Sequence, residues 1–381
     1  MALVLVIDGL SAPEDAPWAS WLPNLHRLSQ MGKKGTVTVE RECYLPESLV
    51  PWMDRLGIPY GDLPPSTGWF SAYQARVAEP GQGSWCHLGF THLFRKQDEL
   101  RFVSPSRTGQ SRDEIQEIGQ QLTSFLSHDG WSVCHQDSEG LVIHSETVWE
   151  TQSLSMRVVE GASAQEILPT GEDGKRLQDF TMTLQLALAR NTVNETRKEA
   201  KRLVLNTPWF WGMGGSPDAP EDKRWKGTWL LSSDAAVLGM GKWCDWQTKV
   251  MPEDESNWRW DQELEPYLDM AQREDVVLHL QGPAIYARHG MKEDRNKLLA
   301  LWDRTHFVAL EAQLAKKKVG LVVIEGFPLE EQGIGTLSDE AIWFHAPAAK
   351  LMKPTRFWQK ILGTNPKSIP MSWTKLRQEW R

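Results

Sequence analysis

An apolar run near the start of the chain, Leu3-Val4-Leu5-Val6-Ile7, ends in a carboxylate, Asp8, which is followed at once by Gly9. Consecutive apolar residues without polar alternation describe a strand buried on both faces, as in parallel sheets covered by helices on both sides. This feature narrows the fold to a layered α/β arrangement. A carboxylate at the carboxyl edge of such a sheet is the usual place for a metal ligand or catalytic acid. An Asp that caps a helix or turn is the alternative, and the partners that the rest of the sequence can bring to Asp8 decide between them.

The chain has 381 residues, 40% of them hydrophobic, enough for two compact domains with a substantial core. Its first apolar stretch is short, lacks a preceding cationic region and runs into Asp8, so neither a signal peptide nor a membrane span is expected and the expected compartment is the cytoplasm. Cys43, Cys86, Cys134 and Cys244 are far apart and form no C-x-x-C pair, which argues against a disulfide framework or a thiolate zinc site. They are expected as buried reduced thiols. Twenty tryptophans against five tyrosines, many in close pairs such as Trp209 and Trp211, are expected to pack the core.

The opening reads as strand (2–7), helix (22–31), strand (36–39) and helix (48–56). From about Gly81 the pattern changes to antiparallel strands at 85–94 and 100–103, a helix at 112–126, a strand pair at 131–135 and 141–144, and a helical segment at 177–202. After it the α/β pattern resumes, with strands expected at 203–210, 228–231, 276–280, 320–324 and 341–344. The expected fold is α/β, a mainly parallel sheet flanked by helices with an inserted α+β domain. The expected division is a discontinuous core of residues 1–74 and 204–349, an inserted cap of residues 75–203, and a basic Trp-containing extension of residues 350–381. The glycine runs Gly212-Met213-Gly214-Gly215 and Gly239-Met240-Gly241 lack the spacing of a phosphate loop and read as turns. Gly68 and the Gly212 run flank the crossings between core and cap and permit a hinge there. His87 and His92 fall on opposite faces of one strand, which disfavours a shared metal, and His279, alone on its strand, reads as a hydrogen-bonded core residue.

Several separated segments together resemble one family, the cofactor-independent phosphoglycerate mutases of archaeal type within the alkaline phosphatase superfamily. They are Ile7-Asp8-Gly9, then Pro23-Asn24-Leu25 with Gly32-Lys33-Lys34-Gly35, then Ser48 leading to Gly57, and the stretch from Thr67 to Ala72. The run from Ala189 to Arg197, followed by Asn206 to Gly214, is the strongest match and is similar to a divergent bacterial mutase-like branch. The resemblance implies an alkaline-phosphatase-like fold and two divalent ions held by Asp, His and a nucleophilic Ser. Two ions suit phosphoryl transfer, because a serine hydroxyl is a weak nucleophile and the transferred group concentrates negative charge.

Asp8 and Ser48 match that pattern, with Ser48 as nucleophile or as an ordinary helix cap. Elsewhere the chain departs from it. Ala284 stands where the family has an Asp, and the nearby His is replaced by Arg288 or displaced to His289. The strand Val322-Val323-Ile324 ends in Glu325-Gly326 instead of Asp-His. The segment from Gly333 to Thr336 supplies no ligand where the family has its last His, and His87 and Gly89 stand near the family's phosphate-binding Arg and Asn. What the resemblance implies is therefore a reduced site of Asp8, His289 and Glu325 for one divalent ion, manganese, magnesium or zinc.

Two functional classes follow. One is a non-catalytic or regulatory homologue that keeps the fold and uses the interdomain cleft for a small phosphorylated ligand or a partner. The other is an active metal-dependent phosphomutase or phosphohydrolase using Ser48. The missing ligands favour the first, since two-metal catalysis loses most of its electrostatic stabilisation when one ion's ligands are gone. The segment 350–381 carries eight Lys or Arg and the single acid Glu379, so the rest of a chain of net charge −8 has about fifteen excess negative charges. That tail either lies on its own acidic body or binds an acidic protein surface, which suits it better than nucleic acid or an anionic membrane.

Overall fold

In the computed structural model the opening run forms β1 (Ala2–Ile7), an interior strand of a seven-stranded sheet ordered β2-β12-β11-β1-β10-β8-β9. The structure describes residues 2–8, 10, 18–30, 33–38, 65–78, 82–96, 98–103, 105–137, 140–154, 156, 163–165, 167–217, 227–252, 265–283, 292–317, 319–325 and 340–346. Strands β8 (Trp229–Ser232), β9 (Gln247–Val250), β10 (Val276–Leu280) and β11 (Gly320–Glu325) run parallel to β1 through their neighbours. Strands β12 (Glu340–Ala346) and β2 (Lys33–Thr38) close the other edge antiparallel. The helices accompanying this sheet are α1 (Trp18–Trp21), α2 (Pro23–Gln30), α3 (Thr67–Gln74), α8 (Ala235–Trp243), α9 (Glu265–Met270), α10 (Lys292–Trp302) and α11 (Val308–Lys317). A π-helical turn, Asp303–Phe307, joins the last two.

A second, antiparallel sheet holds β3 (Ser84–Lys96), β4 (Glu99–Val103), β5 (Trp131–Gln136), β6 (Leu141–Ser145) and β7 (Thr207–Gly214). Its helices are α4 (Pro105–Thr108), α5 (Arg112–His128), α6 (Gly174–Leu188) and α7 (Thr192–Glu199). The α/β class with an α+β part thus holds, with two local corrections. The strand expected to resume the parallel sheet at 203–210 is β7, and it pairs with β3 in the second sheet. The helix expected over 177–202 is two helices, because the Asn191 side chain accepts the Val193 N–H and starts α7 afresh.

Strand β1 explains how the layers meet. Its residues alternate between faces: Leu3, Leu5 and Ile7 pack into a core with Leu25, Leu28, Trp302 and Leu314, whereas Val4 and Val6 join Trp69, Phe70, Leu230, Val237 and Val277 on the other side. That second cluster also takes in Trp85 and Val142 from the second sheet. One continuous apolar cluster therefore links the two sheets through α3 and α8.

The Gly212 and Gly239 runs, read as turns, lie in a strand and a helix, and with Gly68 they serve this contact. Gly239 lies within α8, and a Cβ there would stand 1.8 Å from the Phe70 carbonyl oxygen. Gly212 lies in β7 at φ +63, and its Cβ would stand 2.0 Å from Thr67 Oγ1; a Cβ at Gly68 would stand 2.8 Å from the Cys86 carbonyl carbon. Only glycine permits such backbone approach. Among the described residues Cys86 and Cys244 are buried and Cys134 half-buried, all as free thiols, and burial pushes the Cys244 thiol up to about 12. No described helix is long and apolar enough to cross a membrane.

Candidate functional site

Asp8 continues the series of Val4 and Val6, so it lies at the end of an apolar stripe on the face turned toward α3 and the second sheet. On the neighbouring strands His279 extends the series of Val277, and Ser232 that of Leu230. The three polar side chains are thereby aligned across β1, β10 and β8. They are connected: His279 Nε2 is 2.9 Å from Asp8 Oδ2, and its Nδ1 is 2.9 Å from Ser232 Oγ. The Ser232 oxygen accepts the Asp234 N–H at 3.0 Å, while the Asp234 side chain caps α8 through the N–H groups of Ala236 and Val237.

A backbone N–H at one end and a carboxylate at the other fix the direction of this chain for a neutral ring. Ser232 O–H donates to Nδ1, and Nε2–H donates to Asp8. The opposite tautomer would set the Nε2 lone pair against the carboxylate. Despite its Ser, His and Asp, this is not an acyl-transfer triad. Ser232 is 0% exposed and its hydroxyl already accepts one bond and donates another, so no substrate carbonyl can reach it. Asp8 and His279 are each 1% exposed.

Of the other residues singled out from the sequence, Glu325 ends β11, its Cα paired with that of Ile7, so the backbone places it on the strand beside Asp8. Ser48 and His289 lie outside the described residues, as do Ala284, Arg288, Gly326, the 333–336 segment and the 350–381 tail. His279, read as a core histidine, is hydrogen-bonded as expected, but its partner is the very carboxylate on which the site rests. Ser232 was not anticipated. The available signal was that three apolar strands, 2–7, 229–231 and 276–280, each carry a polar residue at or near the carboxyl end.

Two of the motif matches, Pro23-Asn24-Leu25 and the stretch from Ala189, serve as braces. Asp303, buried in the π-helical turn, accepts from the backbone and side-chain amides of Asn24 and from Leu25 N–H, which accounts for Pro23-Asn24-Leu25 at the start of α2. In the 189–206 stretch Asn194 bonds Leu188 O and both backbone groups of Leu205, and fully buried Arg197 bonds Leu203 O, Thr108 O and Glu114. Burial pushes the Glu114 carboxyl up, but the Ser111 N–H, Arg197 and Arg202 outweigh it and hold the group below its usual value.

A second buried network lies between α3 and the second sheet. Asp137 Oδ2 accepts from Ser71 Oγ and lies 2.9 Å from His87 Nε2; His87 Nδ1 lies 3.4 Å from Thr67 Oγ1, and its ring stacks on Trp211 at 4.3 Å. The other Asp137 oxygen accepts from Gly140 N–H. His92, by contrast, bonds the Val204 carbonyl.

Among the described residues no group of three or more His, Cys, Asp or Glu could hold a metal ion. These residues do supply one buried carboxylate, oriented by a hydrogen bond as ligating carboxylates are. His279 occupies one acceptor position of Asp8.

No family model matches the sequence, and no curated protein matches it significantly. Among solved structures the chain is similar to the PH0037 protein from Pyrococcus horikoshii, with a TM-score of 0.57 and 14% identity over 91% of this chain and 87% of that one. That likeness establishes a shared fold. A cofactor-independent phosphoglycerate mutase from Thermoplasma acidophilum DSM 1728 aligns over 91% of this chain and 89% of its own at 15% identity, with a TM-score of 0.45, too low to bear on activity.

Proposed function

We propose that this protein is a phosphoglycerate-mutase-like member of the alkaline phosphatase superfamily that binds a small phosphorylated ligand without turning it over. In this reading it acts as a non-catalytic or regulatory homologue with at most one divalent ion. The observation that carries the reading is Asp8, a buried carboxylate at the carboxyl edge of the sheet, aimed by His279. The sequence supports it as well: Ala284, Gly326 and the segment from Gly333 to Thr336 stand where a two-metal site needs side-chain ligands. Asp8, with Glu325 and His289, would hold the one ion, which would supply positive charge to neutralise a phosphoryl group. His279 would orient Asp8, and the apolar stripe beneath would keep water from its buried side.

A second reading, an active metal-dependent phosphomutase or phosphohydrolase with Ser48 as nucleophile, draws on the retention of Asp8 and on the placement of Glu325 on the adjacent strand. One experiment separates them. Elemental analysis after dialysis against manganese, paired with a phosphoglycerate mutase and phosphatase assay, should give no more than one equivalent and no turnover. Two equivalents, with turnover abolished by Ser48→Ala, would overturn the non-catalytic reading.

A further inference from the structure

Helix α6 is apolar on two faces. The inner one is accounted for, because Leu177, Phe180, Leu184 and Leu188 recur at helical spacing and join the core of the second sheet. On the opposite face Met182 and Leu186, one turn apart, are 61% and 73% exposed, and among the described large apolar side chains only Val250 is comparably open. Single exposed apolar residues are ordinary, whereas neighbours on one ridge make a surface. Leu168, 46% exposed, extends it: the next residue, Pro169, accepts through its carbonyl from Gln178, one turn before Met182.

The two ends of the ridge indicate what covers it. Asp179 lies about one turn before Met182 and Arg190 about one turn after Leu186, both exposed. Ala189 keeps a helical backbone, with φ −62 and ψ −23, and the Arg190 N–H bonds the Ala187 carbonyl, so the ridge continues to Arg190. Its order is acid, apolar, apolar, base, and the same order read backwards has the charges exchanged. The midpoint of Asp179 and Arg190 and that of Met182 and Leu186 differ by half a residue, about 0.8 Å along the axis. An antiparallel copy of α6 therefore sets Met182 against Leu186 and Asp179 against Arg190, each contact occurring twice. A two-fold interface requires this self-complementarity, whereas a foreign partner does not call for it. A parallel copy would face acid with acid.

We propose that the outer face of α6 is a homodimer contact, with two copies of the helix antiparallel about a two-fold axis level with Leu184. Methionine suits such a seam because its flexible side chain adapts to the facing Leu186. Asp179 bonds Lys175 at 2.7 Å, but an exposed pair of this kind is weak and leaves the carboxylate able to turn toward Arg190 of the second copy. One helix against one helix is a small contact, of about 1,200 Å² or less, so the dimer is reversible.

The test is sedimentation velocity of the full-length protein between about 1 μM and about 1 mM, the range of dissociation constants open to so small a contact. The mass of wild type should rise with concentration from 43.4 kDa toward twice that value. Leu186→Glu should weaken association at least about tenfold, and so should Asp179→Arg or Arg190→Asp alone, each of which opposes like charges twice. An equimolar mixture of Asp179→Arg with Arg190→Asp should associate to within about threefold of wild type, because both charge contacts are then restored. All four substituted positions are exposed or solvent-facing, and far-UV circular dichroism melts should match wild type. A wild type that stays monomeric throughout would overturn the proposal and leave the face to a different chain. A dimer indifferent to Leu186→Glu would place the contact elsewhere, and a mixture that fails to associate would refute the antiparallel register. Should Leu186→Glu not fold, the two charge variants and their mixture carry the same decision.

Discussion

Two buried networks in this protein are built from the same parts, an aspartate, a histidine and a hydroxyl, and they do different work. In the junction network, Asp137 gathers Ser71 and His87 on one oxygen and the Gly140 N–H on the other, so that α3, β3 and the turn between β5 and β6 are tied together. It lies among close backbone contacts at Gly68, Gly212 and Gly239 and beside a stacked Trp211. In the sheet-edge network the hydrogen bonds run in a line and converge on one carboxylate at the end of a strand. A closed web fixes elements to one another, whereas a directed line fixes one group for use. Residue types alone do not distinguish a brace from a site; connectivity and position in the sheet do.

If that distinction is right, damage to the braces should cost stability first. The largest effect is expected at Arg197, which is fully buried and paired with Glu114 at 2.8 Å. Removing the acid in Glu114→Ala leaves an uncompensated buried charge and should cost about 3–5 kcal/mol at neutral pH, read by chemical denaturation. Because the Glu114 carboxyl is held below its usual value, its contribution is complete above the ordinary carboxylate range and is lost as pH falls through the lowered native value. The gap between wild type and variant should therefore narrow in acid. A gap that widens in acid would contradict the assigned ion pair.

Gly239→Ala comes next. The added methyl would meet the Phe70 carbonyl oxygen, and separating α8 from α3 should cost about 3 kcal/mol, at the upper end of ordinary overpacking. A variant as stable as wild type would show that the helices are not in contact at that point. Asp137→Ala should follow, at about 1–3 kcal/mol in total for the buried polar groups left unpaired. Thermal melts with manganese present and absent would show whether the loss is confined to stability, as a brace requires.

The sequence made the layers legible because each strand announces itself by local pattern. The run from Leu3 to Ile7 reads as a strand buried on both faces, and Trp131 to His135 with Leu141 to His144 as a short antiparallel pair. What a local pattern cannot carry is partnership over long separations. Nothing within residues 203–214 says that β7 pairs with β3 and not with the parallel sheet; its apolar run suits either. In the same way Asp8 is plain as a strand-end carboxylate, but its bond to His279 spans 271 positions and depends on strand order. The glycines of α8 misled for a related reason. Glycine in a short motif suggests a turn, whereas here its value is the absent Cβ facing another helix. Motif resemblance found the right segments at Pro23 to Leu25 and Ala189 to Arg197 without revealing that their side chains serve as braces.

The claim at the centre of this account is that Asp8 is held for use and Asp137 for structure. It is tested most directly by comparing Asp8→Asn with Asp137→Asn in one experiment that records both melting temperature and manganese binding. The account predicts that Asp8→Asn melts close to wild type but no longer binds the ion, while Asp137→Asn melts lower and still binds it. The reverse pattern, with Asp8→Asn unfolding early and ion binding dependent on Asp137, would contradict it.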